Sequence, residues 1–500
     1  METTYKHGIY SDIEKSGLAS VSKSLGTIPA YIGSLPVQRV NASGEAGFDY
    51  SDYVNKPILI SSYRDVEKLN LYSRDWQNYT LCEAIHAHFL NGTEVVAPII
   101  LVNMSDPTNV SSEALTMNVT LVAEGASKVG YLEDSAATID GIAITIEDTQ
   151  LVDGDVEYSY VEGERIKIKI NKETTATSAS VSYKCVQFNK RLVEVDVFED
   201  ALSSLDMSEF LTGYIPNIIA APYFSSVPEF HTKMVQYAMD KISQKWNVIC
   251  VSDIPCNDET QTIAGAKEWK EANWYNNKLD KVCYPMVKFG TDNWGEIVYH
   301  LSTIASYTMQ RTDMSNDDVP YVSPSNKIIN ARSVVIDVNG TPFFMREYEA
   351  NELNKAGITT VNIVQRQLRL WGSHMANYNF DKLSGINFED RSDSGVRMAL
   401  YIANMLQYDY IESIDTPFDR SDVDSVQNSI QQRFNALVNE GKLLYATVYF
   451  TEESNSDEEL ANGNVTFDVE YTLAPNTKSV TFKLRYTSAG LSVLTSGGEA

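Results

Sequence analysis

The sequence predicts a multidomain protein in which α/β parts are combined with an all-β part. Three observations predict this class. Strand and helix patterns alternate near the start of the chain and again after residue 205, segments of period-2 alternation separate them, and helices followed by three strands close the chain. A chain of 500 residues has room for about three domains.

These patterns divide the chain into five expected parts. They are an N-terminal arm (1–25), a small α/β domain (26–107), an inserted antiparallel β-sandwich (108–200), a mainly parallel three-layer α/β domain (201–377) and a C-terminal α+β domain (378–500).

The composition is that of an acidic protein with enough apolar residues, 43%, to form folded cores. Lys and Arg total 40 against 67 Asp and Glu, so the formal net charge is −27. This excludes a bulk electrostatic grip on nucleic acid or anionic lipid, which needs a dominant basic surface. The first residues lack the apolar stretch of a secretory signal, and no run of about 18 apolar residues predicts a membrane-spanning helix. Five scattered cysteines are typical of reduced thiols, so we expect synthesis inside a cell.

The first part predicts a small α/β layer behind an extended arm. Residues 1–25 are polar and have no sustained period, whereas 28–37, 56–62 and 95–104 are apolar runs that predict strands. Between the last two runs, apolar residues at helical spacing predict a helix that Gly92 ends. These apolar residues are Leu81, Ile85 and Phe89.

Period-2 alternation dominates residues 110–200. The alternating segments LTMNVTLVA, IAITIE, RIKIKI, SVSYKCVQF and VEVDVF predict antiparallel strands of a β-sandwich. Residues 131–164 contain ten acids and no Lys or Arg, so one edge of this part is strongly negative.

After residue 205, strand and helix patterns alternate again. We expect strands at 217–224, 247–253, 281–290 and 333–338, and helices at 227–246, 262–276 and 294–313. Strand–helix–strand units with crossovers of this length predict a mainly parallel sheet that is covered on both faces.

The last part begins with helices and ends in three strands. A helix over 422–440 is predicted, with Ser421 as its N-cap and Gly441 just beyond its end. Its apolar stripe consists of Val423, Val426, Ile430, Phe434 and Leu437. The expected strands are 443–450, 465–472 and 480–487.

Motifs for catalysis and metal binding are missing from the sequence. There is no phosphate-binding GxxxxGK[ST], no GxSxG, no HExxH and no CxxC, so we expect neither an enzyme nor a cofactor. One alternative stays open, an α/β hydrolase in which Asp253 at a strand end is combined with His231 or His300. It lacks a serine on a sharp glycine-flanked turn.

Two weaker patterns resemble parts of metal sites, and neither predicts one. Cys250 and Cys256 have no neighbouring histidine. The acids at 153, 155 and 157 resemble the start of a calcium loop, but Tyr158 stands where that loop needs glycine. His86 and His88, two residues apart, are expected to be partly buried on different sides of their helix.

The last two strands are complementary in charge. The first has an apolar face of Val465, Phe467, Val469 and Tyr471, with Asp468 and Glu470 on the other side. The second has an apolar face of Val480, Phe482, Leu484 and Tyr486, with Lys483 and Arg485 on the other side. Two arrangements fit this pattern, which are pairing within the chain and donation of the last strand to the sheet edge of a neighbour.

Several runs, in this order, resemble one family. They are IPAYIGSLPV (28–37), KPILISSYRDVEKL (56–69), WQNYTLCEAIHAHF (76–89), VAPIILVNMSDP (96–107), PYVSPSNK (320–327), EANELNKAGITTVNIV (349–364) and LRLWGSHM (368–375). Together they are similar to contractile tail sheath proteins of bacteriophages, of the long type with an inserted β-sandwich. The resemblance covers nearly the whole chain.

The resemblance implies a structural subunit and not an enzyme. The region 205–375 would be the sheath domain called subtilisin-like, a fold label without protease activity, and the β-sandwich would decorate the outside. Subunits would form stacked hexameric rings in a helical tube that contracts and drives the tail tube through the cell envelope for genome delivery. The implied partners are the tail tube, baseplate and tail terminator proteins, with no nucleic acid and no membrane insertion. The implied location is the virion, after assembly in the host bacterial cytoplasm.

The resemblance also implies exchanged strands. The C-terminal domain would pack on the tail tube and accept an N-terminal arm from one neighbour and the last strand from another. The implied donors are Thr3, Thr4, Tyr5, Ile9 and Tyr10 in the arm, and Val480, Phe482, Lys483, Leu484, Arg485 and Tyr486 at the end. The acceptor strand would contain Val465, Phe467, Val469 and Tyr471.

A contact with the tail tube is predicted on the polar side of the helix 422–440. The residues of this contact are Gln427, Asn428, Gln431, Gln432 and Arg433, with no acid among them. An ordinary solvated helix face explains it equally well. Arg366 and Arg369 form a second basic spot with the same two explanations. A bacteriocin or an injection-system sheath would look alike in this sequence, and a surface adhesin is disfavoured by the missing signal.

Overall fold

The computed structural model describes residues 26–491, except 43, 46, 153, 162–164, 245, 293–294, 337–340, 388, 412–413 and 489. The chain forms two compact units that divide between Ile430 and Gln431. Across the described residues, no helix is both long and apolar enough to cross a membrane.

The first unit begins with the predicted three strands and helix, and with one further helix, α1 (Tyr63–Lys68). The strands are β1 (Pro29–Gly33), β2 (Pro57–Ile60) and β3 (Ile99–Asn103), and the predicted helix is α2 (Leu81–Ile85). α2 continues as a π-helical turn over His86–Leu90. Gly92 follows with a φ of 73°, in the left-handed region that suits glycine at a helix end, as predicted.

Next come eight strands in two antiparallel sheets of four. They are β4 (Leu115–Thr120), β5 (Val122–Glu124), β6 (Ser127–Leu132), β7 (Ala143–Ile146), β8 (Thr149–Gln150), β9 (Val156–Val161), β10 (Arg165–Ile170) and β11 (Ser178–Tyr183). The orders are β5-β6-β10-β9 and β4-β11-β7-β8. Val119, Ile144 and Ile168 represent the single apolar core that both sheets share. In β10 every isoleucine is buried and every Arg or Lys is half-buried, because period-2 alternation places them on opposite faces.

The chain then returns to alternating helices and strands. The elements are α3 (Val195–Ser204), α4 (Ser208–Thr212), β12 (Ile218–Ala220), α5 (Pro228–Gln244), β13 (Ile249–Asp253), α6 (Ile263–Ala272), β14 (Asp280–Cys283), β15 (Met286–Asp292), β16 (Gly295–Tyr299), α7 (Leu301–Met314), β17 (Ser333–Val335), β18 (Pro342–Phe343), α8 (Glu347–Lys355), β19 (Ile358–Val364), β20 (Gln367–Trp371) and α9 (Asp393–Tyr410). A small sheet has the order β16-β15-β17-β18.

One eight-stranded sheet organises the first unit. Its order is β2-β3-β1-β12-β13-β14-β19-β20, parallel from β3 to β19 with an antiparallel strand at each edge. β1 lies between β3 and β12, so segments on both sides of the inserted β-strands build the same sheet and the same core. The sequence instead separates 26–107 and 201–377 into two domains. The two segments join because β1 is a central strand of the sheet. It is buried on both faces, and its two edges pair with β3 from one segment and β12 from the other.

Three predicted elements are wrong. VEVDVF is not a strand, because Phe198, Ala201 and Leu202 pack at helical spacing in α3. The segment 281–290 is two strands in different sheets, and Pro285 between them has no N–H for a ladder. The segment 294–313 begins as the strand β16 and becomes helical only at Leu301.

Buried ion pairs attach α9 to the first unit. Lys281 Nζ lies 2.8 Å from Asp393 Oδ2 at the start of α9, and Arg397 pairs with Asp313 on α7. The sequence places α9 in the C-terminal domain from residue 378, whereas these contacts tie it to β14 and α7.

The second unit contains the end of α10 (Arg420–Asn439), then β21 (Tyr445–Tyr449), α11 (Asp457–Ala461) and β22 (Asp468–Thr472). The predicted stripe of α10 is buried at Val423, Ile430, Phe434 and Leu437. Gly441 follows with a φ of 74°, as predicted. The predicted N-cap is wrong, because Asp419 and not Ser421 accepts the first backbone N–H groups of the helix.

Candidate functional site

The candidate site is the antiparallel hairpin of β21 and β22. Its register pairs Tyr445 with Thr472 and Tyr449 with Asp468. One face is apolar, where Ala446 and Val448 are buried beside Tyr471 and Val469, and the other face carries the acids of β22. Two of the four predicted acceptor residues, Val469 and Tyr471, therefore lie in β22. Val465 and Phe467 precede the strand, and the Phe467 ring packs 5.4 Å from that of Phe450.

The loop before β22 is held in place by polar side chains. Asn455 is buried and bonds the backbone of Thr466 with both ends of its amide, at 2.8 Å each. Asp468 accepts hydrogen bonds from Thr451 Oγ1 at 3.1 Å and from Ser454 Oγ at 2.6 Å. These bonds position β22 and its acidic side.

Gln431 is predicted to face outward, but in the structure its side chain bonds β21. Its amide donates to the carbonyl of Ala446 at 3.1 Å and accepts from the N–H of Val448 at 3.2 Å, both on β21. The other residues of the predicted tube-facing set differ in exposure. Gln427 is half-buried, and Asn428, Gln432 and Arg433 are exposed. Only the last three stay on an outward face.

The segment Val480–Tyr486 forms no strand in the described structure. Its four apolar side chains are exposed, with fractions of 67% for Val480, 83% for Phe482, 94% for Leu484 and 88% for Tyr486. Within the described residues, β22 has only β21 as a ladder partner, so the intrachain pairing left open by the sequence is not formed. Four large apolar side chains exposed at alternate positions form an apolar patch. Exposed patches of this kind are uncommon on monomeric proteins, and they mark interaction sites.

The predicted N-terminal donors Thr3, Thr4, Tyr5, Ile9 and Tyr10 lie outside the described residues. The first described residues are fixed in the first unit. The carbonyl of Gly26 accepts from Asn217 Nδ2 at 3.2 Å, and Thr27 Oγ1 donates to Asp313 Oδ2 at 2.5 Å.

Of the two arginines in the second basic spot, Arg369 has a structural role. Arg369 bonds the backbone and side chain of Asn326 at 3.2 and 3.3 Å. Arg366 is exposed, with a φ of 67° in the turn between β19 and β20.

Each candidate residue of the hydrolase alternative bonds a different partner in the structure. His231 pairs with Asp280 at 2.9 Å, and Ser252 Oγ donates to the same carboxylate at 2.8 Å. The serine thus bonds the acid and not the imidazole, which is not the order that activates a nucleophile. All three side chains are buried.

Asp253 and His300 are also bound elsewhere. Asp253 accepts from the N–H of Ser302 at 2.9 Å and from its hydroxyl, and burial raises the pKa of Asp253 to about 6. His300 Nδ1 lies 2.7 Å from Glu83 Oε2. Burial opposes protonation of His300, but the adjacent Glu83 carboxylate outweighs it and raises the pKa of this histidine. These networks join α2, β13 and α7 and act in packing.

The described residues of the two weak metal patterns also bond other partners. Glu157 pairs with Lys169 at 2.9 Å and Asp155 with Lys172 at 3.6 Å, while residues 153 and 164 lie outside the described residues. Cys250 and Cys256 bond different backbone carbonyls, and no group of three ligands occurs among the residues that the structure places.

His88 makes stability depend on pH. It is buried between Tyr31 OH at 2.8 Å and the carbonyl of Val96 at 2.7 Å, and His86 contacts Tyr299 instead, so the two histidines face different elements as predicted. Burial lowers the pKa of His88 from 6.5 to about 4. Between these values the unfolded chain takes up a proton and the folded chain does not, so stability is lost as the pH falls from 6.5 to 4.

We expect His88→Gln to reduce the slope of the unfolding free energy against pH by about one proton in this range. This amounts to about 3 kcal/mol over the whole interval. Urea unfolding at pH values from 4 to 7 measures it, and a slope equal to that of the unchanged protein would contradict the prediction.

Similarity to known proteins extends over nearly the whole chain. No protein-family model matches it. It is 25% identical to the tail sheath protein of Burkholderia phage BcepMu over 99% of this chain and 100% of that protein. The predicted resemblance is confirmed. The tail sheath protein of Escherichia phage P2 is 28% identical over 59% of this chain and 69% of that protein.

Two solved structures contain chains that share the fold. A chain of the anti-feeding prophage baseplate matches with a TM-score of 0.55 and 14% identity, covering 97% of this chain and 100% of that one. A chain of the contracted PVC sheath complex, from an extracellular contractile injection system, matches with a TM-score of 0.54 and 13% identity, covering 97% and 99%. The mixed α/β multidomain class with several sheets is therefore confirmed.

Proposed function

We propose that this chain is the structural subunit of a contractile tail sheath. It polymerises helically around a tail tube, and its contraction drives the tube through the target cell envelope for genome delivery. The observation that carries the proposal is the match to a phage tail sheath protein over 99% of this chain. The polar networks around Asp253 and His231 serve packing, which agrees with a subunit that is not an enzyme.

The interface between subunits is a donated strand. Val480–Tyr486 of one subunit joins β22 of another by antiparallel pairing. A register that sets Lys483 opposite Glu470 also sets Arg485 opposite Asp468. The same register sets Phe482, Leu484 and Tyr486 opposite Tyr471, Val469 and Phe467. Opposite charges and apolar pairs facing across strands stabilise a sheet. The exposed apolar side chains of the donor support this assignment, because the join would bury them.

The N-terminal arm is the second donor, and Thr3–Tyr10 supplies a strand that adds to the outer edge of the donated strand. Repeated contacts of this head-to-tail kind build an open helical tube. Contraction is then a rigid-body rearrangement of subunits that stay tethered by their exchanged strands. Stacked hexameric rings, a tail tube, a baseplate and a terminator protein complete the assembly, and the virion is its location.

Finer features of the subunit follow from the same proposal. The two antiparallel sheets over 115–183 form the β-sandwich that decorates the outside, and the parallel sheet corresponds to the subtilisin-like sheath domain. The tail tube docks on the exposed side of α10 at Asn428, Gln432 and Arg433. These three residues suit an acidic tube, because they include a cation and no acid.

Injection-system sheaths are the second candidate. A chain of the contracted PVC sheath complex shares their fold with this chain. The sequence relatives come from phages, so the phage tail is the first candidate.

Electron microscopy of the purified protein tests the function. We expect negative-stain images across protein concentration and salt to show striated hollow tubes or stacked rings. Co-expression with a tube protein and a baseplate from the same gene neighbourhood provides nuclei if the subunit alone is slow to assemble. Uniform small particles under all these conditions would contradict the proposal.

A further inference from the structure

The edge of β21 that faces away from β22 is occupied by one side chain. Besides its two bonds to β21 backbone groups, the Gln431 amide donates to Asn435 Oδ1 at 3.0 Å and accepts from Thr447 Oγ1 at 3.2 Å. A primary amide has two donor hydrogens and one oxygen with two lone pairs. All four are used, so Gln431 is fully bonded.

This pattern imitates a neighbouring strand. In a parallel ladder, the residue opposite Thr447 would donate to the carbonyl of Ala446 and accept from the N–H of Val448. The Gln431 amide makes both bonds with one group. An incoming strand could reach this edge of β21 only by displacing the amide from its four partners.

The edge of β22 that faces away from β21 differs from the capped edge of β21 in its backbone hydrogen bonding and in its charge. Alternate residues of a strand direct their backbone groups to opposite sides, so the groups of Val469 point away from β21. β22 also carries Asp468 and Glu470, which complement Lys483 and Arg485 of the proposed donor. The equivalent positions of β21 are Tyr445, Thr447 and Tyr449, which are uncharged.

We propose that Gln431 is an edge cap that excludes strand addition at β21 and so confines the donated strand of a second copy to β22. The inference rests on the proposed function, because it presumes a donated strand. It assigns Gln431 a positioning role at the interface between subunits. The partner at the β22 edge is the segment Val480–Tyr486 of another copy of this chain.

Cysteine cross-linking in assembled tubes tests the choice of edge. Glu470→Cys with Lys483→Cys places thiols across the β22 edge, and Thr447→Cys with Lys483→Cys places them across the β21 edge. We expect disulfide-linked chains on mild oxidation from the first pair only. The second pair should stay at the background set by the unchanged protein, whose five cysteines are free.

Removal of the cap should open the second edge. Adding Gln431→Leu to the Thr447/Lys483 pair is expected to raise its cross-linked fraction by about tenfold. Gln431→Glu should give an intermediate rise, because its carboxylate still accepts from Val448 but cannot donate to Ala446. The matched control is Asn439→Leu on the same helix, whose side chain is exposed, and it should leave the fraction unchanged.

Two results would overturn the inference. One is cross-linking of the Thr447/Lys483 pair, with Gln431 intact, as strong as that of the Glu470/Lys483 pair. The other is equal hydrogen-exchange protection of the Val448 amide in the unassembled protein with and without Gln431→Leu. Cross-linking at neither edge in well-formed tubes would reject the donated strand, and the edge choice with it, while leaving the sheath function standing.

Discussion

Truncation before Val480 is expected to leave a folded, soluble protein that no longer forms tubes. The apolar side chains of Val480–Tyr486 are 67–94% exposed, so their removal takes nothing from either described core. Assembly depends on the same side chains, because under the proposed function they are buried against β22 of a neighbour. Circular dichroism, light scattering and negative-stain microscopy of one preparation measure the three properties.

A truncation after residue 491 is the matched control, since it removes the Ser/Gly-rich end and keeps the strand. It should assemble like the full chain. A second variant, Phe482→Ser with Leu484→Ser, keeps the length of the segment but loses its apolar face, and it should behave like the truncation. Normal tubes from the truncated protein would mean that the strand is not donated.

Lys281→Met is expected to destabilise the first unit by about 3–5 kcal/mol, the usual cost of breaking a buried ion pair by removing one partner. Lys281 and Asp393 are fully buried, and the ammonium also donates to the carbonyl of Gly372 at 3.0 Å. Removing the lysine leaves the Asp393 carboxylate without its charge partner in the interior. Urea unfolding at pH 7, followed by circular dichroism, measures the loss.

The pH dependence should change as well. Burial disfavours ionised Asp393, but the Lys281 ammonium and the Ser323 hydroxyl outweigh it and lower its pKa. The pair therefore contributes stability above the ordinary carboxyl pKa that is lost as the pH falls through the lowered value. Without Lys281 the pKa of Asp393 is expected to rise, so stability should then decrease with rising pH.

The matched control is Lys278→Met. Lys278 pairs with Asp390 at 3.2 Å on the surface, and such exposed pairs contribute up to about 1 kcal/mol. The double change Lys281→Met with Asp393→Asn should recover part of the loss, because no charge stays buried. Equal effects of Lys281→Met and Lys278→Met would contradict a special role for the buried pair.

Local patterns predicted much of the secondary structure. The isoleucines of β10 alternate in burial as the sequence does, and Gly92 and Gly441 end their helices as expected. Such features depend on residues a few positions apart, so periodicity and glycine's freedom at positive φ suffice to predict them.

Other elements were decided by contacts between residues far apart in the chain. VEVDVF alternates like a strand, but the apolar core beneath Phe198 and Leu202 favours a helix. β1 joins segments on both sides of the inserted strands because, as a central strand, it needs a partner strand at each edge. Gln431 has the polar character of a surface residue, and only the position of β21 shows that its amide bonds a strand edge.

Composition, the order of the motifs and period-2 alternation were enough to predict the class of the fold, the family resemblance and the two faces of the last strands. Three features are visible only in the folded chain. They are the order of the central sheet, the attachment of α9 through buried charges and the difference between the two edges of the C-terminal hairpin. The physical reason is that hydrogen bonds and ion pairs of buried groups are made with residues tens to hundreds of positions away.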